Sequence, residues 1–270
     1  MYPTVTVLGR TFGVYGICAA VGLLLMLGCV ALLARRRGWR SEEEVICALV
    51  SLIGVVVGAG ALYGLTNAGA IARILAAAAD YPSVGALLAD LVRCFDGFVF
   101  YGGLIGGVLA GSLYARHQGW DVLAHLDVFA VAIPLFHVFG RIGCFFGGCC
   151  YGVEAPWGIT YTIDPIPQAN GVPRVPIQLI EAACNAVIFC VVLALFARDR
   201  LPRRLIGVYG LLYGCVRFVD EFWRGDAYRG FLGLLSTSQW ISLLVIAASV
   251  ALLVVVGRRR ARARQDIRVC

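Results

Sequence analysis

Seven long hydrophobic segments constrain this chain more than any other feature of its sequence. A helix rises about 1.5 Å per residue, so roughly 20 apolar residues cross the ~30 Å hydrocarbon core of a bilayer. Hydrophobic residues make up 60% of the 270 residues and charged residues 14%, which is too apolar for a soluble domain of this size. The sequence therefore predicts an all-α polytopic membrane protein with seven transmembrane helices, at Phe12–Ala34, Val45–Leu65, Phe98–Ala115, Ala124–Phe146, Ile177–Ala197, Leu205–Trp223 and Leu234–Val256.

The arginines predict the orientation of these spans. All 23 basic residues are arginine. With the N-terminus outside, fifteen of them fall in cytoplasmic segments, six in outer segments and two within spans. The positive-inside rule therefore favours an outer N-terminus and a cytoplasmic C-terminus, with residues 258–270 as a basic cytoplasmic tail. Because the arginines gather at helix ends, the lipid bilayer is an expected partner and nucleic acid is not.

We expect residues 1–257 to form one seven-span membrane domain with two long outer connections. Residues 67–96 contain two short amphipathic pieces, Ile71–Ala79 and Val84–Cys94, which suit an interfacial arm better than a span. Residues 153–176 hold five of the nine prolines. That composition predicts a small extracytoplasmic lobe, with one strand at Gly158–Ile163.

Arg141 lies well inside the fourth hydrophobic segment. A charged side chain at that depth costs at least ~2.5 kcal/mol and by default indicates a functional site with a partner. His137, Arg141 and Cys144 follow i, i+4, i+7 spacing and share one helical face. His137 is a candidate base, although a single histidine in an apolar helix is more often a hydrogen-bonded structural residue.

A second arginine, Arg217, lies inside the sixth segment with Tyr213 four residues before it and Glu221 four residues after it. Pairing of Arg217 with Glu221 on one helical face is the structural interpretation. The functional interpretation is a clamp, because two guanidinium groups facing one cavity match the phosphate of a lipid headgroup. Such a clamp either binds lipid only or stabilises negative charge on a departing phosphate. The sequence alone leaves both open.

Two further patterns have simple structural interpretations. Gly103, Gly107 and Gly111 repeat at four-residue spacing in the third segment, which favours close helix packing. Cys144, Cys149 and Cys150 form the one cysteine cluster in the sequence. We interpret them as small residues that fit a tight helix end, in preference to a disulfide. No metal site and no cofactor are expected, since the cluster lacks a Cys-x-x-Cys pair and has one histidine nearby.

Several short motifs together resemble those of the bacterial prolipoprotein diacylglyceryl transferases. They are Tyr15-Gly16, Tyr101-Gly-Gly-Leu-Ile-Gly, Gly140-Arg-Ile-Gly143 followed by Gly152, Pro176-Ile-Gln-Leu-Ile-Glu181, Tyr213-Gly-Cys-Val-Arg217 with Glu221-Phe-Trp-Arg224, and Ser238-Gln239. The resemblance runs in the same order from the first span to the last. It implies a multi-pass protein of the bacterial plasma (inner) membrane. It also implies a reaction: transfer of diacylglycerol from phosphatidylglycerol to the lipobox cysteine thiol beside a prolipoprotein signal peptide, releasing glycerol phosphate.

The resemblance also implies that Arg141 and Arg217 bind and polarise the phosphoglycerol, with Tyr15, Tyr213, Glu221 and Gly152 completing the cavity. The predicted site has ten residues. Those predicted to be catalytic are Arg141, Arg217, Tyr101 and His137, where His137 is included for its position one turn before Arg141, and those predicted to bind substrate are Tyr15, Gly102, Gly103, Gly152, Tyr213 and Glu221. Three positions depart from the usual family pattern: Tyr101 stands in place of histidine, Cys144 in place of asparagine and Cys149 in place of an acidic residue. The acceptor of the thiol proton therefore stays open among His137, Glu221 and water, with Tyr101 as a donor to the leaving oxygen.

Two alternative functions remain from the sequence. One is a paralogous transferase that uses the same arginine clamp on a different phospholipid or acceptor, as the substitutions at Tyr101, Cys144 and Cys149 allow. The other is a non-catalytic lipid-binding or redox membrane protein that uses its cysteine cluster.

Overall fold

The computed structural model describes residues 3–97, 99–162, 166–225 and 231–269, and most of these residues are helical. The α-helices are α1 (Val14–Arg36), α2 (Ser41–Thr66), α3 (Ala68–Ala76), α4 (Val84–Arg93), α5 (Phe100–His117), α6 (Val122–Gly147), α7 (Ile177–Ala197), α8 (Leu205–Asp220) and α9 (Thr237–Val269). Within the described residues, five helices are long and apolar enough to cross a membrane, namely α1, α2, α6, α7 and the Thr237–Arg259 part of α9. The predicted class, a helical polytopic membrane protein, is confirmed.

The other two predicted spans are also helical, but they are shorter or more polar. Helix α8 has 16 residues and is about 24 Å long. Helix α5 has 18 residues, is rich in glycine and ends in Arg116-His117. The count of seven spans therefore stays a prediction.

Short β-hairpins correct the expectation of an all-α fold. In the part of the chain that the structure describes, three two-stranded antiparallel sheets pair β1 (Thr4–Val7) with β2 (Arg10–Gly13), β3 (Glu154–Thr160) with β4 (Pro173–Arg174), and β5 (Phe231–Leu232) with β6 (Leu235–Ser236). The first hairpin turns at Leu8 and Gly9, both with positive φ, and the alternating Thr and Val residues of β1 favour a strand. The first helix therefore begins at Val14, two residues later than predicted.

The chain forms two compact units, residues 1–33 with 123–270, and residues 34–122. In the first unit, α1 packs against α6 through glycine. A Cβ at Gly143 would lie 3.1 Å from the Cβ of Cys18, which shows how closely the two helices approach. Buried apolar side chains that include Val131 of α6, Val192 of α7 and Leu205 of α8 form its core.

The fourth span contains an acidic residue, Asp127, whose role is structural. Its carboxylate accepts hydrogen bonds from the backbone N–H groups of Leu205, at 2.7 Å, and Arg203. These are donors at the start of α8 that no helical carbonyl can satisfy. Asp127, which is buried, therefore caps α8 from the side of α6 and fixes where α8 begins.

In the second unit, α2 and α5 pack with their backbones in contact. A Cβ at Gly58 or at Gly102 would collide with the carbonyl oxygen of the other residue, and a Cβ at Gly103 would lie 3.2 Å from a methyl of Val55. Gly102 and Gly103 are both buried. Close helix packing, the simpler interpretation of the third segment's glycines, is confirmed.

The predicted interfacial arm consists of α3, a short 3₁₀ turn at Ala78–Asp80, and α4. Ser83 caps α4 by accepting a hydrogen bond from the backbone N–H of Ala86 at 3.2 Å. The Tyr81 hydroxyl donates to the carboxylate of Asp90 at 3.1 Å and joins the turn to α4. This region therefore contains two short helices, as the sequence predicted. Their position in the membrane interface stays a prediction.

The 153–176 lobe is built on the β3–β4 pair. Tyr161 is fully buried and packs with Tyr151, Ala169 and Phe145, so the lobe has a small core that includes the end of α6. The predicted strand at Gly158–Ile163 overlaps β3, which begins earlier at Glu154; residues 163–165 lie outside the described residues.

Candidate active site

Two partly buried arginines converge on one carboxylate that comes from a third helix. Arg141 of α6 lies 2.8 Å from Glu181 Oε1, and Arg217 of α8 lies 3.6 Å from Glu181 Oε2. The Glu181 side chain is 3% exposed, and those of Arg141 and Arg217 are 19% and 12% exposed. The structure therefore brings together the two arginines that the sequence singled out, and it places Glu181 of α7 between them.

Arg217 has partners on two further elements. Its Nη2 donates to Glu221 at 2.9 Å, one helical turn later, and to Ser238 Oγ of α9 at 3.4 Å. The predicted pairing of Arg217 with Glu221 is confirmed. Its Nη1 is buried and has no hydrogen-bond partner among the residues that the structure describes. This nitrogen lies 3.6 Å from Glu181 Oε2, which is an ion-pair distance but longer than a hydrogen bond, so it can still donate to another acceptor.

The charges of this cluster are nearly balanced. Glu181 and Glu221 offset Arg141 and Arg217, which reduces the large cost of holding charge at membrane depth. Each guanidinium has five N–H donors in a planar fork, and its ion pairs use only some of them. The cluster can therefore bind an anionic oxygen in addition to the carboxylates.

His137 lies one helical turn before Arg141 and is surrounded by aromatic groups. Its Nδ1 is 3.3 Å from the Tyr209 hydroxyl, and its ring centroid is 5.1 Å from that of Tyr213. The Tyr213 hydroxyl in turn bonds to Arg141. His137 is thus held in a hydrogen-bonded aromatic layer, as the structural interpretation expects, while Tyr213 contacts the arginine cluster directly.

Tyr15 lies at the start of α1, against the last turns of α6. A Cβ at Gly143 would be 3.2 Å from the Tyr15 ring, and a Cβ at Gly147 would be 3.6 Å from the Tyr15 Cβ. Tyr15 interacts electrostatically with Arg141 and with the cysteine cluster. It is also more than half exposed, so its ring is accessible beside the arginine.

Gly152 lies where three backbone segments approach one another closely. It bridges to Arg224 in antiparallel fashion, and the Val153 N–H donates to the Trp223 carbonyl at 2.9 Å. A Cβ at Gly152 would collide with the Val175 carbonyl oxygen and lie 2.8 Å from the Val175 Cβ. Gly152 therefore allows three backbone segments to meet, and the substrate-binding role that the family resemblance implied for it stays a prediction.

We expect Gly152→Ala to destabilise the protein by about 1–3 kcal/mol, since the new methyl group meets fixed backbone atoms. Gly140→Ala is the matched control. Gly140 lies in α6, the helix that leads to the lobe, and a Cβ there meets nothing within 4 Å. Thermal unfolding of both variants in detergent measures the difference. Equal midpoints for Gly152→Ala and the unaltered protein would refute the close approach.

Tyr101, Gly102 and Gly103 lie in the first turn of α5, in the 34–122 unit. Gly102 and Gly103 face α2, and their contacts there account for the absence of side chains. Their implied role in substrate binding, and that of Tyr101 in catalysis, stay predictions.

Cys144, Cys149 and Cys150 come together at the end of α6, with their three sulfur atoms within 4.8 Å of one another. Cys149 Sγ also lies 3.8 Å from the Cys144 carbonyl oxygen. Hydrogen bonds with Cys144 and Cys149 lower the pKa of the Cys150 thiol, whereas hydrogen bonds with Cys144 and Cys150 raise the pKa of the Cys149 thiol. The three thiols therefore interact with one another directly.

Sequence reasoning missed Glu181 as a site residue. Glu181 lies inside the predicted fifth span, so the same membrane-cost argument that singled out Arg141 applies to it. Gln178 and Ser238 were also given no role. Gln178 Nε2 donates to the Cys149 carbonyl at 2.9 Å and ties the α6 end to α7, while Ser238 contacts Arg217.

These observations define a polytopic membrane protein whose helices hold two partly buried arginines around a shared, buried glutamate. The chain belongs to the prolipoprotein diacylglyceryl transferase family, which it matches over residues 3–255.

Individual relatives cover almost the whole chain. A phosphatidylglycerol–prolipoprotein diacylglyceryl transferase of Clostridium tetani is 33% identical over 238 residues, which is 87% of this chain and 90% of the relative. The second such enzyme of Clostridium perfringens is 31% identical over 253 residues, 91% of this chain and 93% of the relative. The enzyme of Geobacter sulfurreducens is 33% identical over 259 residues, 91% of each chain.

Proposed function

We propose that this protein transfers diacylglycerol from phosphatidylglycerol to the cysteine thiol of a prolipoprotein lipobox and releases glycerol phosphate. The convergence of Arg141 and Arg217 on Glu181 is the observation that carries the proposal. Relatives at about 30% identity over most of the chain are named for this reaction, which supports it independently.

The chemistry requires a cationic site at the depth of a lipid phosphate. The lipobox sulfur attacks the glycerol carbon of the diacylglycerol, so a carbon–sulfur bond forms while the bond from that carbon to the phosphate oxygen breaks. The leaving oxygen and its phosphate gain negative charge during this step. Guanidinium groups that are already oriented before the reaction stabilise that charge without rearrangement, which lowers the barrier.

Glu181 orients the two arginines in this proposal. Without a carboxylate between them, two guanidinium groups held this close to one another would repel each other and separate. With Glu181 in place, the Nη1 of Arg217, which is ion-paired with Glu181 but makes no hydrogen bond, and the partly exposed fork of Arg141 can both donate to the phosphate oxygens. Tyr213 and Tyr15 lie beside Arg141 and complete the binding site for the headgroup.

The proton of the attacking thiol passes to water in our proposal. We assign this role to neither Glu221 nor His137, because Glu221 already accepts a hydrogen bond from Arg217 and His137 Nδ1 lies 3.3 Å from the Tyr209 hydroxyl. Tyr101 has the role of a donor to the leaving oxygen.

We further propose seven spans in the bacterial plasma membrane, with the N-terminus outside and the basic tail in the cytoplasm. Helices α5 and α8 supply the two spans beyond the five long apolar helices. The arm of α3 and α4 and the 153–176 lobe then lie on the outer side. Arg141 and Arg217, which are nearer the lobe ends of α6 and α8, lie toward the outer leaflet.

The donor lipid tests the proposal most directly. We expect the purified protein in vesicles of phosphatidylglycerol to add one diacylglycerol mass to a lipobox peptide. No product is expected with phosphatidylethanolamine of the same acyl chains or with a peptide whose lipobox cysteine is serine. Mass spectrometry of the peptide measures transfer. Product from the other lipid alone would favour the paralogous transferase, and no product from either lipid would contradict the proposal.

A further inference from the structure

The end of α6 explains why two cysteines five residues apart lie together. Gly148 adopts a positive φ of 74°, the Cys149 N–H bonds to the Cys144 carbonyl at 3.2 Å, and the Gly148 N–H bonds to the Phe145 carbonyl at 3.4 Å. This pair of bonds is the Schellman motif, in which a residue just beyond the helix bonds back to a residue in its last turn, so that the two lie side by side. Those two residues are Cys144 and Cys149.

Cys150 adds the third sulfur through an uncommon backbone conformation. Its φ is +60°, in the left-handed region that non-glycine residues seldom adopt. Neighbouring elements hold the loop on both sides of it. Gln178 of α7 donates to the Cys149 carbonyl at 2.9 Å, and the Gly225 N–H donates to the Tyr151 carbonyl at 2.9 Å. The thiols are therefore held together by the fold.

The spacing of the three sulfurs is close to that of a metal site. Three thiolates bound at about 2.3 Å around one ion in a trigonal arrangement lie about 4 Å apart. The observed separations are within 4.8 Å, so small side-chain rotations close the site. All three cysteines are partly exposed, which gives an ion access.

We propose that Cys144, Cys149 and Cys150 form a three-thiolate site for a soft metal cation of the Cu(I), Zn²⁺ or Cd²⁺ class. Soft sulfur ligands select such ions over Mg²⁺ and Ca²⁺, which prefer oxygen. Three ligands leave one coordination position open for water or an external thiol. The sequence argued against a metal site because it contains no Cys-x-x-Cys pair. In the structure, the Schellman motif at the end of α6 brings the cysteines together although their spacing in the sequence does not indicate it.

Cd²⁺ binding to the reduced, detergent-solubilised protein tests the site. We expect one Cd²⁺ per chain with a sulfur-to-cadmium charge-transfer band in the ultraviolet. Cu(I) should displace it, whereas Mg²⁺ and Ca²⁺ should not. Serine at any one of the three positions should weaken binding by more than the ~10- to 100-fold that follows loss of an outer-shell partner.

A matched variant separates this site from the protein's other thiols. Serine at Cys184, Cys190 and Cys215 removes three cysteines of α7 and α8 and leaves the cluster intact, so its binding should equal that of the unaltered protein. The triple Cys144, Cys149 and Cys150 to serine variant should lose the band. Equal binding by these two triple variants, or no stoichiometric binding at all, would overturn the proposal. The readout is metal binding, so it is independent of lipid transfer.

Discussion

Replacing Arg141 by alanine is expected to lower diacylglyceryl transfer at least about 100-fold, to the background of the vesicle assay. Removal of one preorganised donor that stabilises developing negative charge typically costs 10²- to 10³-fold in rate. Arg141 contacts Glu181 at 2.8 Å and bonds to Tyr213, so its loss also leaves the shared carboxylate to Arg217 alone. Product mass per unit time, with phosphatidylglycerol and a lipobox peptide, measures the effect.

Two variants make this result interpretable. Arg198→Ala removes an exposed arginine at the end of α7 and should retain full activity. Arg141→Lys keeps the positive charge but loses the planar fork, so intermediate activity is expected if bidentate contact with phosphate contributes. A folded Arg141→Ala protein with unchanged product formation would remove the arginine cluster from the mechanism.

Glu181→Gln is expected to lower the free energy of unfolding by about 3–5 kcal/mol, because removing one member of a buried charge cluster leaves the others uncompensated. Glu181 is 3% exposed and faces two guanidinium groups, whereas the amide of glutamine cannot balance their charge. Unfolding in detergent, followed by tryptophan fluorescence, measures the loss.

Two comparisons separate charge balance from packing at this position. Glu154→Gln is the control: Glu154 also pairs with an arginine, at 3.4 Å, but its side chain is 65% exposed, so a change within about 1 kcal/mol is expected. The double variant Glu181→Gln with Arg141→Gln removes one charge of each sign and should recover part of the stability. A Glu181→Gln protein as stable as the Glu154→Gln protein would contradict the central role of Glu181.

The site was predictable from the sequence only in part. Arg141 and Arg217 could be found because charge at membrane depth is costly and therefore rare. The i, i+4 spacing of Arg217 and Glu221 predicted their ion pair, which the structure contains. Glu181 belongs to another helix, and no spacing within one helix indicates that its carboxylate reaches two arginines on two neighbours.

The glycines, too, were predictable only in part. The small-residue repeat of the third segment predicted close packing, since a helix surface without side chains is a local property. The close approach at Gly152 was not predicted, because the atoms that a Cβ there would meet come from Val175 and Trp223, distant in the chain. The all-α expectation failed at the hairpins for a related reason: short strands outside the spans carry too few residues for a clear periodicity.

By itself, the sequence determined the class of this protein, because the free-energy cost of apolar surface in water and of charge in lipid is a property of composition and hydrophobic pattern. The tertiary structure alone decided which charges meet. Helices α6, α7 and α8 each contribute one residue to the Arg141–Glu181–Arg217 cluster. The turn after α6 likewise gathers three thiols that the linear spacing leaves apart. Contacts between elements depend on packing geometry, which no local pattern specifies.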